Sequence, residues 1–253
     1  MIYSASRRTD MPAFYPDAIV EKVSRSRKLE AIVFWTKDAR NLVRHPGLAA
    51  ITARSPSIVQ LTVTGLAGSR WEPGVPPLSA QLPELRELSR SLPRGAVRWR
   101  FDPIIPSPDL FDRFRAVKET LESALGTLDG VTVSFPDPYR HAVARSVGAG
   151  LKWPAVRMDE KKRILAALIR EFPETAAPLR LCCEPDLLTI PGVAMAKCVD
   201  GSLFEQLYAI PLGRLDKDQG QRVACGCSKS TDIGSYAMRC SHHCLYCYAT
   251  PNE

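Results

Sequence analysis

The segment Val97-Arg98-Trp99-Arg100-Phe101-Asp102 decides how the chain is read. Trp99 and Phe101 alternate with Arg98, Arg100 and Asp102, and a period of two sends the two sets to opposite faces of a strand. Three further segments repeat the pattern. Gln60, Thr62 and Thr64 alternate with Leu61 and Val63. Thr132 and Ser134 alternate with Val131, Val133 and Phe135. Arg180, Cys182 and Glu184 alternate with Leu181 and Cys183. Parallel strands buried on both sides would be apolar throughout. One polar and one apolar face instead predicts an apolar exterior under helices and a polar interior facing a ligand, with chemistry at the C-terminal strand ends. An antiparallel sheet with one wet face, or internal Arg–Asp pairs that satisfy each other, would give the same alternation.

Outward from that segment, six β-like runs are rich in Val, Ile, Thr and aromatic residues: 2–6, 31–36, 58–64, 97–102, 131–135 and 179–184. Helical spacing lies between them. Leu82, Leu85, Leu88 and Leu92 repeat every three or four residues, as do Leu110, Phe111, Phe114, Val117, Leu121 and Leu125. Ile164, Leu165, Leu168, Ile169 and Phe172 follow Asp159, read as an N-cap, and a shorter helix follows Pro16. Leu203, Phe204, Leu207 and Tyr208 indicate one more. Strand–helix alternation implies parallel pairing with right-handed crossovers. The expected fold is α/β: a partial TIM-type (β/α)6 barrel over 1–215, then a polar linker at 216–220. A cysteine-rich tail at 221–253 folds back over the C-terminal strand ends, so that 1–253 is one domain.

The 253 residues are 45% hydrophobic and 24% charged, which is ordinary for a globular protein. Lys and Arg number 34 against 27 Asp and Glu, a net charge of +7 that favours anionic partners without demanding nucleic acid. Residues 1–54 carry most of that excess, but no compact basic run, helix-turn-helix pattern or aromatic–basic stripe is present. No apolar run of 18 residues exists, so no membrane span is expected. The first ten residues lack a basic-then-apolar leader pattern, and a cytoplasmic location is expected.

Five of the eight cysteines fall in the last 29 residues, as Cys225-Gly226-Cys227 and, after twelve residues, Cys240-Ser-His-His-Cys244-Leu-Tyr-Cys247. In a reducing compartment such clusters more often bind metal or do redox chemistry than form disulfides. Cys240, Cys244 and Cys247 form C-x3-C-x2-C, a short loop that offers three thiolates to three irons of a cubane and leaves the fourth iron open. Zinc is the competing metal, with Cys225, Cys227, Cys244 and Cys247 as a four-cysteine set that leaves Cys240 idle. Cys225 and Cys227 are secondary metal candidates, against the alternative of small residues in a tight turn. Cys182, Cys183 and Cys198 read as ordinary buried cysteines, with Cys182 set apart because it shares a strand face with Glu184, and His242 and His243 read as exposed loop residues.

The C-x3-C-x2-C spacing, with the aromatic Tyr246 before its third cysteine, resembles the signature of the radical S-adenosylmethionine superfamily. That resemblance implies a [4Fe-4S] cluster whose open iron binds S-adenosylmethionine, reductive cleavage to a 5′-deoxyadenosyl radical, and an electron donor such as flavodoxin or ferredoxin. There the motif follows the first strand; here it lies near the C-terminal end. No counterpart of that superfamily's Gly-Gly-Glu segment is evident. Over nearly its full length the chain also resembles an uncharacterised bacterial domain family. The resemblance rests on Ser4-Ala5-Ser6-Arg7-Arg8-Thr9-Asp10, Phe34-Trp35-Thr36-Lys37, Arg98 to Pro103 and the tail with Asp232 to Tyr236.

The expected cofactor and substrate residues are Tyr246, lining the adenine side, and Arg8, Lys37, Arg100, Asp102 and Glu184, whose charges would converge at successive strand ends. The expected function is a radical S-adenosylmethionine-like [4Fe-4S] enzyme acting on a polar or anionic small molecule. The alternatives are a non-radical iron–sulfur protein, a zinc-stapled barrel with its active site elsewhere, and a nucleic-acid-modifying enzyme.

Overall fold

The computed structural model describes residues 1–26, 28–213 and 216–249. The expected core boundary at residue 215 and the last four residues lie outside them. Eight strands are present among the described residues: β1 Ile2–Ala5, β2 Ala31–Thr36, β3 Ser57–Thr62, β4 Val97–Phe101, β5 Val131–Val133, β6 Leu179–Leu181, β7 Val193–Met195 and β8 Thr231–Asp232. All six predicted runs are strands, most of them one to three residues shorter than read, because polar strand ends turn into loops. The sequence reading missed β7, where Val193-Ala194-Met195-Ala196 has a single β-branched residue, and β8, which is only two residues long.

The sheet is parallel throughout, in the order β7-β6-β5-β4-β3-β2-β1-β8. From β1 to β7 the chain steps always in one direction. Right-handed crossovers in a constant direction put every connecting helix on the same face. The helices are α1 Met11–Phe14, α2 Pro16–Ser24, α3 Asn41–Arg44, α4 Pro46–Arg54, α5 Leu82–Ser91, α6 Leu110–Leu125, α7 Arg140–Gly148, α8 Met158–Ile169 and α9 Gly201–Tyr208. Arg157 occupies the N-cap position of α8 without a side-chain capping bond, and Asp159, expected as the cap, stands in the first turn instead. Its charge there still faces the positive helix end.

The main core joins the helices to one strand face: Tyr3, Ala5, Ile32, Phe34, Val59, Leu61, Trp99, Phe101, Val131, Val133, Leu179 and Leu181 against Ile19, Leu48, Leu85, Phe114, Leu121 and Leu165. Phe114 sits at its centre, 4.9 Å from Trp99 and 5.0 Å from Phe101 between ring centroids. Burying such a side chain is worth about 1.5–3 kcal/mol.

The sheet is open, with β7 and β8 at its edges, and its second face is not the open polar cup that alternation predicted. Ile2, Ala31, Val33 and Ile58 pack there against Ala196, Cys198, Val199, Phe204 and Cys227. Helix α9, capped by Asp200, covers this face, and the Tyr208 hydroxyl donates to the Ser57 carbonyl at 2.6 Å. The polar residues largely satisfy one another. Arg98 and Arg180 share Asp129 at 2.8 and 3.0 Å, Gln60 donates to the Cys198 carbonyl at 2.7 Å, and Arg100 pairs with Asp102, which accepts from Ser134. Internal pairing, one of the alternatives for the alternating segments, accounts for much of the polar face.

The tail folds back as predicted. β8 adds to the free edge of β1, and Ile233 N donates to the Ser4 carbonyl at 2.9 Å. The chain then runs along the C-terminal strand ends: Tyr15 donates to the Arg239 carbonyl at 2.9 Å and Tyr248 to the Arg7 carbonyl at 2.8 Å. Residues 216–220, read as a linker, are packed in place. Asp218 N donates to the Cys227 carbonyl at 2.9 Å, and the Asp218 carboxylate faces Arg7 at 3.8 Å.

Candidate metal centre

The loop from Cys240 to Cys247 is fastened over the ends of β1, β2 and β3. Its backbone is stitched to the loop after β3: Gly74 N donates to the His242 carbonyl and Leu245 N to the Trp71 carbonyl, both at 3.0 Å. Gly74 is required by this approach, since a Cβ there would press into the Ser241 carbonyl oxygen and lie 3.0 Å from His242 Cα. His243 takes a left-handed φ of 51°, uncommon for a non-glycine residue.

Asp10 ties the loop to the strand ends. Its carboxylate caps α1 at Ala13 N (3.1 Å) and accepts from Lys37 N (2.7 Å) and Thr36 Oγ1 (3.1 Å). It also meets His242 Nε2 at 2.8 Å. His242 is therefore buried, 2% exposed, and not the exposed loop residue expected. Phe14 packs edge-on against its ring at 4.8 Å. Burial lowers the His242 pKa, and the hydrogen bond and charge of Asp10 more than offset that, so it is raised.

Glu72 is a second hub that the sequence reading overlooked. It is 1% exposed and accepts from Lys37 Nζ at 2.8 Å, Thr64 Oγ1 at 2.7 Å and the Tyr246 hydroxyl. Burial pushes its carboxyl up, but Lys37 and these donors bring it below the usual range. Lys37 also lies over the Tyr246 ring, 5.6 Å from its centroid. Nothing in the sequence around Glu72 marks it, because its partners come from three other parts of the chain.

The three thiols of the loop lie within electrostatic reach of one another. Cys244 is buried; Cys240 and Cys247 are half-buried. The backbone N–H groups of Asp10 and His242 lie near Cys240 Sγ, and Ala249 N donates to Cys247 Sγ at 3.4 Å. Burial pushes the Cys240 thiol up to about 11 and raises Cys244 as well, with Lys37 opposing the latter. Buried sulfurs on a short loop, N–H···S donors and a nearby ammonium are the surroundings that thiolate-bound iron–sulfur clusters use. Among the described residues no three or more His, Cys, Asp or Glu side chains are already arranged around one ion position. A cubane attaches each thiolate to a different iron, so its ligands need not converge on one point.

The other expected site residues are spread along the sheet. Arg8 donates to the Gly234 carbonyl at 3.2 Å and lies over Tyr236. Arg100 reaches Cys198 Sγ at 2.7 Å as well as Asp102. Glu184 is paired with Lys161 at 2.9 Å, beyond β6. Lys37 and Tyr246 adjoin the cysteine loop, whereas Arg100 and Asp102 adjoin a different group of cysteines.

That second group holds Cys182, Cys183 and Cys198: Cys198 is buried in the smaller core, as read, whereas Cys182 and Cys183 are only half-buried. Cys183 contacts Cys182, Cys182 contacts Cys198, Cys198 contacts Cys227, and Cys227 contacts Cys225. S–H donation from Cys183 and Cys198 holds Cys182 low, and donation from Cys198 and Cys225 holds Cys227 low, aided by Arg100 and Arg7 respectively. The predicted zinc set of Cys225, Cys227, Cys244 and Cys247 is thus divided between two surroundings. The signal available was the Cys182-Cys183 doublet at the end of a strand with one polar face.

Neither curated proteins nor solved structures gave a match to the chain. A family described as a domain of unknown function, DUF1848, matches residues 18–249, from α2 through the last ligand candidate, and the chain belongs to that family.

Proposed function

We propose that this chain is an iron–sulfur enzyme in which Cys240, Cys244 and Cys247 hold a [4Fe-4S] cluster with one open iron for S-adenosylmethionine. The observation that carries this reading is the C-x3-C-x2-C loop itself, with three thiols gathered on it and clamped over the C-terminal ends of β1, β2 and β3. Open α/β sheets bind ligands at that edge. When bound, such a cluster supplies one electron to the sulfonium of S-adenosylmethionine.

The chain's own residues supply the setting. Asp10 and His242 fix the loop's entry, and Glu72 and Tyr246 fix its exit. The N–H groups of Asp10 and His242 lie near the Cys240 sulfur. Lys37 sets a positive charge beside Cys244, where a thiolate cluster is net negative. Arg8 and Lys37, on loops after β1 and β2, are the cations suited to a carboxylate or phosphate of a polar substrate. A reductant of the flavodoxin or ferredoxin kind would deliver the electron.

The test is anaerobic purification with iron, sulfide and zinc analysis, then EPR of the reduced protein with and without S-adenosylmethionine. About four irons for this loop, lost in Cys244→Ser, with a spectrum altered by S-adenosylmethionine, is the expected result. Iron with an indifferent spectrum removes the cofactor from the proposal. Iron content unchanged in Cys244→Ser, or zinc without iron, overturns it.

A further inference from the structure

We propose that Cys182, Cys198, Cys225 and Cys227 form a second metal centre, thiolate-ligated and separate from the Cys240–Cys247 loop. The inference stands on its own geometry and does not depend on what the loop binds.

The four residues arrive from three places in the chain. Cys182 follows β6 and Cys198 follows β7, the last two strands of the sheet's progression. Cys225 and Cys227 come from the tail just before it joins β1 as β8. The tail is pressed onto the end of β7 at this point: a Cβ on Gly226 would lie 2.7 Å from Met195 Sδ and 3.2 Å from the Ala196 carbonyl oxygen. Ser228 N donates to the Val199 carbonyl at 2.8 Å, and Val199 N reaches Cys227 Sγ at 3.5 Å.

Cys198 and Cys227 are buried in the small core on the sheet's second face, and Cys182 and Cys225 pack against that same core. The thiols neighbour one another in the order Cys182, Cys198, Cys227, Cys225. Cys183 stands at the end of this row beside Cys182, in a left-handed conformation with φ 58°. No three of these side chains already surround one ion position, so the thiols must turn toward a common centre to take a metal; tetrahedral zinc would hold them at about 2.3 Å. The S–H···S protons that now link them are what a cation would replace, and they would pass to solvent.

The surroundings fit an anionic occupant. Four thiolates around a divalent cation leave a net negative charge. Arg100 Nη1 lies 2.7 Å from Cys198 Sγ. Arg7 faces Cys198 and Cys227 as well as the Asp218 carboxylate at 3.8 Å, and its Nη2 is buried without a hydrogen-bond partner. Trp35 lies between these cations, 5.3 Å from Arg7 and 5.1 Å from Arg100 at its ring. Two buried guanidinium groups beside the thiols, with Asp218 and Asp102 as their carboxylate partners, leave room for a further negative charge on the sulfurs. The occupant is a soft, thiolate-bound metal, either a single tetrahedral cation or an iron–sulfur cluster. Its place, at the open seam between β7 and the tail, would pin β8 and the Cys240–Cys247 loop to the sheet.

The experiment starts from the Cys240→Ser/Cys244→Ser/Cys247→Ser triple variant, purified anaerobically and analysed for zinc, iron and sulfide. We expect it to keep about one metal centre per chain, zinc marking the single cation and iron with sulfide marking a cluster. Adding Cys225→Ser and Cys227→Ser should abolish that metal, and adding Cys183→Ser should leave it. After chelation and reduction, Co2+ alone should give an intense thiolate-to-metal absorption in the triple variant. As a measurement independent of substitutions, Cys182 and Cys225 in the native protein should resist alkylation until the metal is stripped, as read by mass spectrometry. A triple variant that neither holds metal nor gives the Co2+ spectrum overturns the proposal. So does metal retained without Cys225 and Cys227, or a Cys225–Cys227 or Cys182–Cys198 disulfide in the anaerobic wild-type protein.

Discussion

His242 Nε2 lies 2.8 Å from Asp10 Oδ2, joining residues 232 positions apart. The same carboxylate accepts from Ala13, Thr36 and Lys37, so one side chain fastens the tail, the first helix and the end of β2. Asp10→Ala leaves several buried donors unpaired and should cost about 3 kcal/mol. Urea unfolding reads that loss, and a value under about 1 kcal/mol would remove Asp10 as the fastening point. Because Asp10 holds the cysteine loop through His242, the variant should lose iron faster to a chelator than wild type.

The Lys37–Glu72 pair makes stability depend on pH. Glu72 is held below its ordinary value by Lys37, Tyr246 and Thr64 against the cost of burial. Its contribution is therefore present above the unfolded carboxyl pKa and lost as pH falls through the folded one. Lys37 is raised, since Glu72, aided by Cys244 and Asp102, outweighs burial. Its contribution is present below the unfolded amine pKa and lost as pH rises through the folded one. Glu72→Gln, which leaves a buried ammonium unpaired, should cost about 3–5 kcal/mol at pH 7. Urea curves between pH 3 and 7 should show the gap to wild type shrinking below about pH 4.5; a gap constant over that range would contradict the pairing.

Gly74 leaves no room for a side chain against Ser241 and His242. Because the obstruction is backbone, Gly74→Ala must displace the cysteine loop or its own turn, at a cost of about 1–3 kcal/mol. The metal-binding signature should suffer more than the sheet does. Far-UV circular dichroism should be preserved while the iron bound per chain falls by half or more. Full iron retention would show that the two loops are not rigidly coupled.

Phe114 lies at the junction of β4, α6 and Phe172, fully buried. Phe114→Ala should destabilise by about 3–5 kcal/mol through lost transfer energy and a cavity. It lies on the helix side of the sheet, so metal content of the folded fraction should not change. Denaturant unfolding with metal analysis of the soluble protein separates the two effects.

Local pattern carried most of the framework. The alternation in Val97 to Asp102 and its three counterparts located four strands, and the leucine spacing located α5 and α6, because both are periods of the backbone itself; the first two strands were legible from Val, Ile and aromatic enrichment. The C-x3-C-x2-C loop was legible for the same reason: three ligand candidates on one short stretch need no tertiary information. The sheet's edge strands β7 and β8 were not, since β7 has a single β-branched residue, β8 is two residues long, and both depend on their neighbours for hydrogen bonds.

What the sequence determined by itself is the α/β alternation and a thiol-rich loop suited to metal. What only the tertiary structure decided is the company those residues keep. Glu72 and Asp10 are unremarkable until the Lys37, Tyr246 and His242 side chains are brought to them, and Cys182 and Cys198 read as core until the tail sets Cys225 and Cys227 beside them. The physical reason is that hydrogen bonds, ion pairs and sulfur contacts act over a few ångströms, whereas the groups making them here lie tens to hundreds of residues apart.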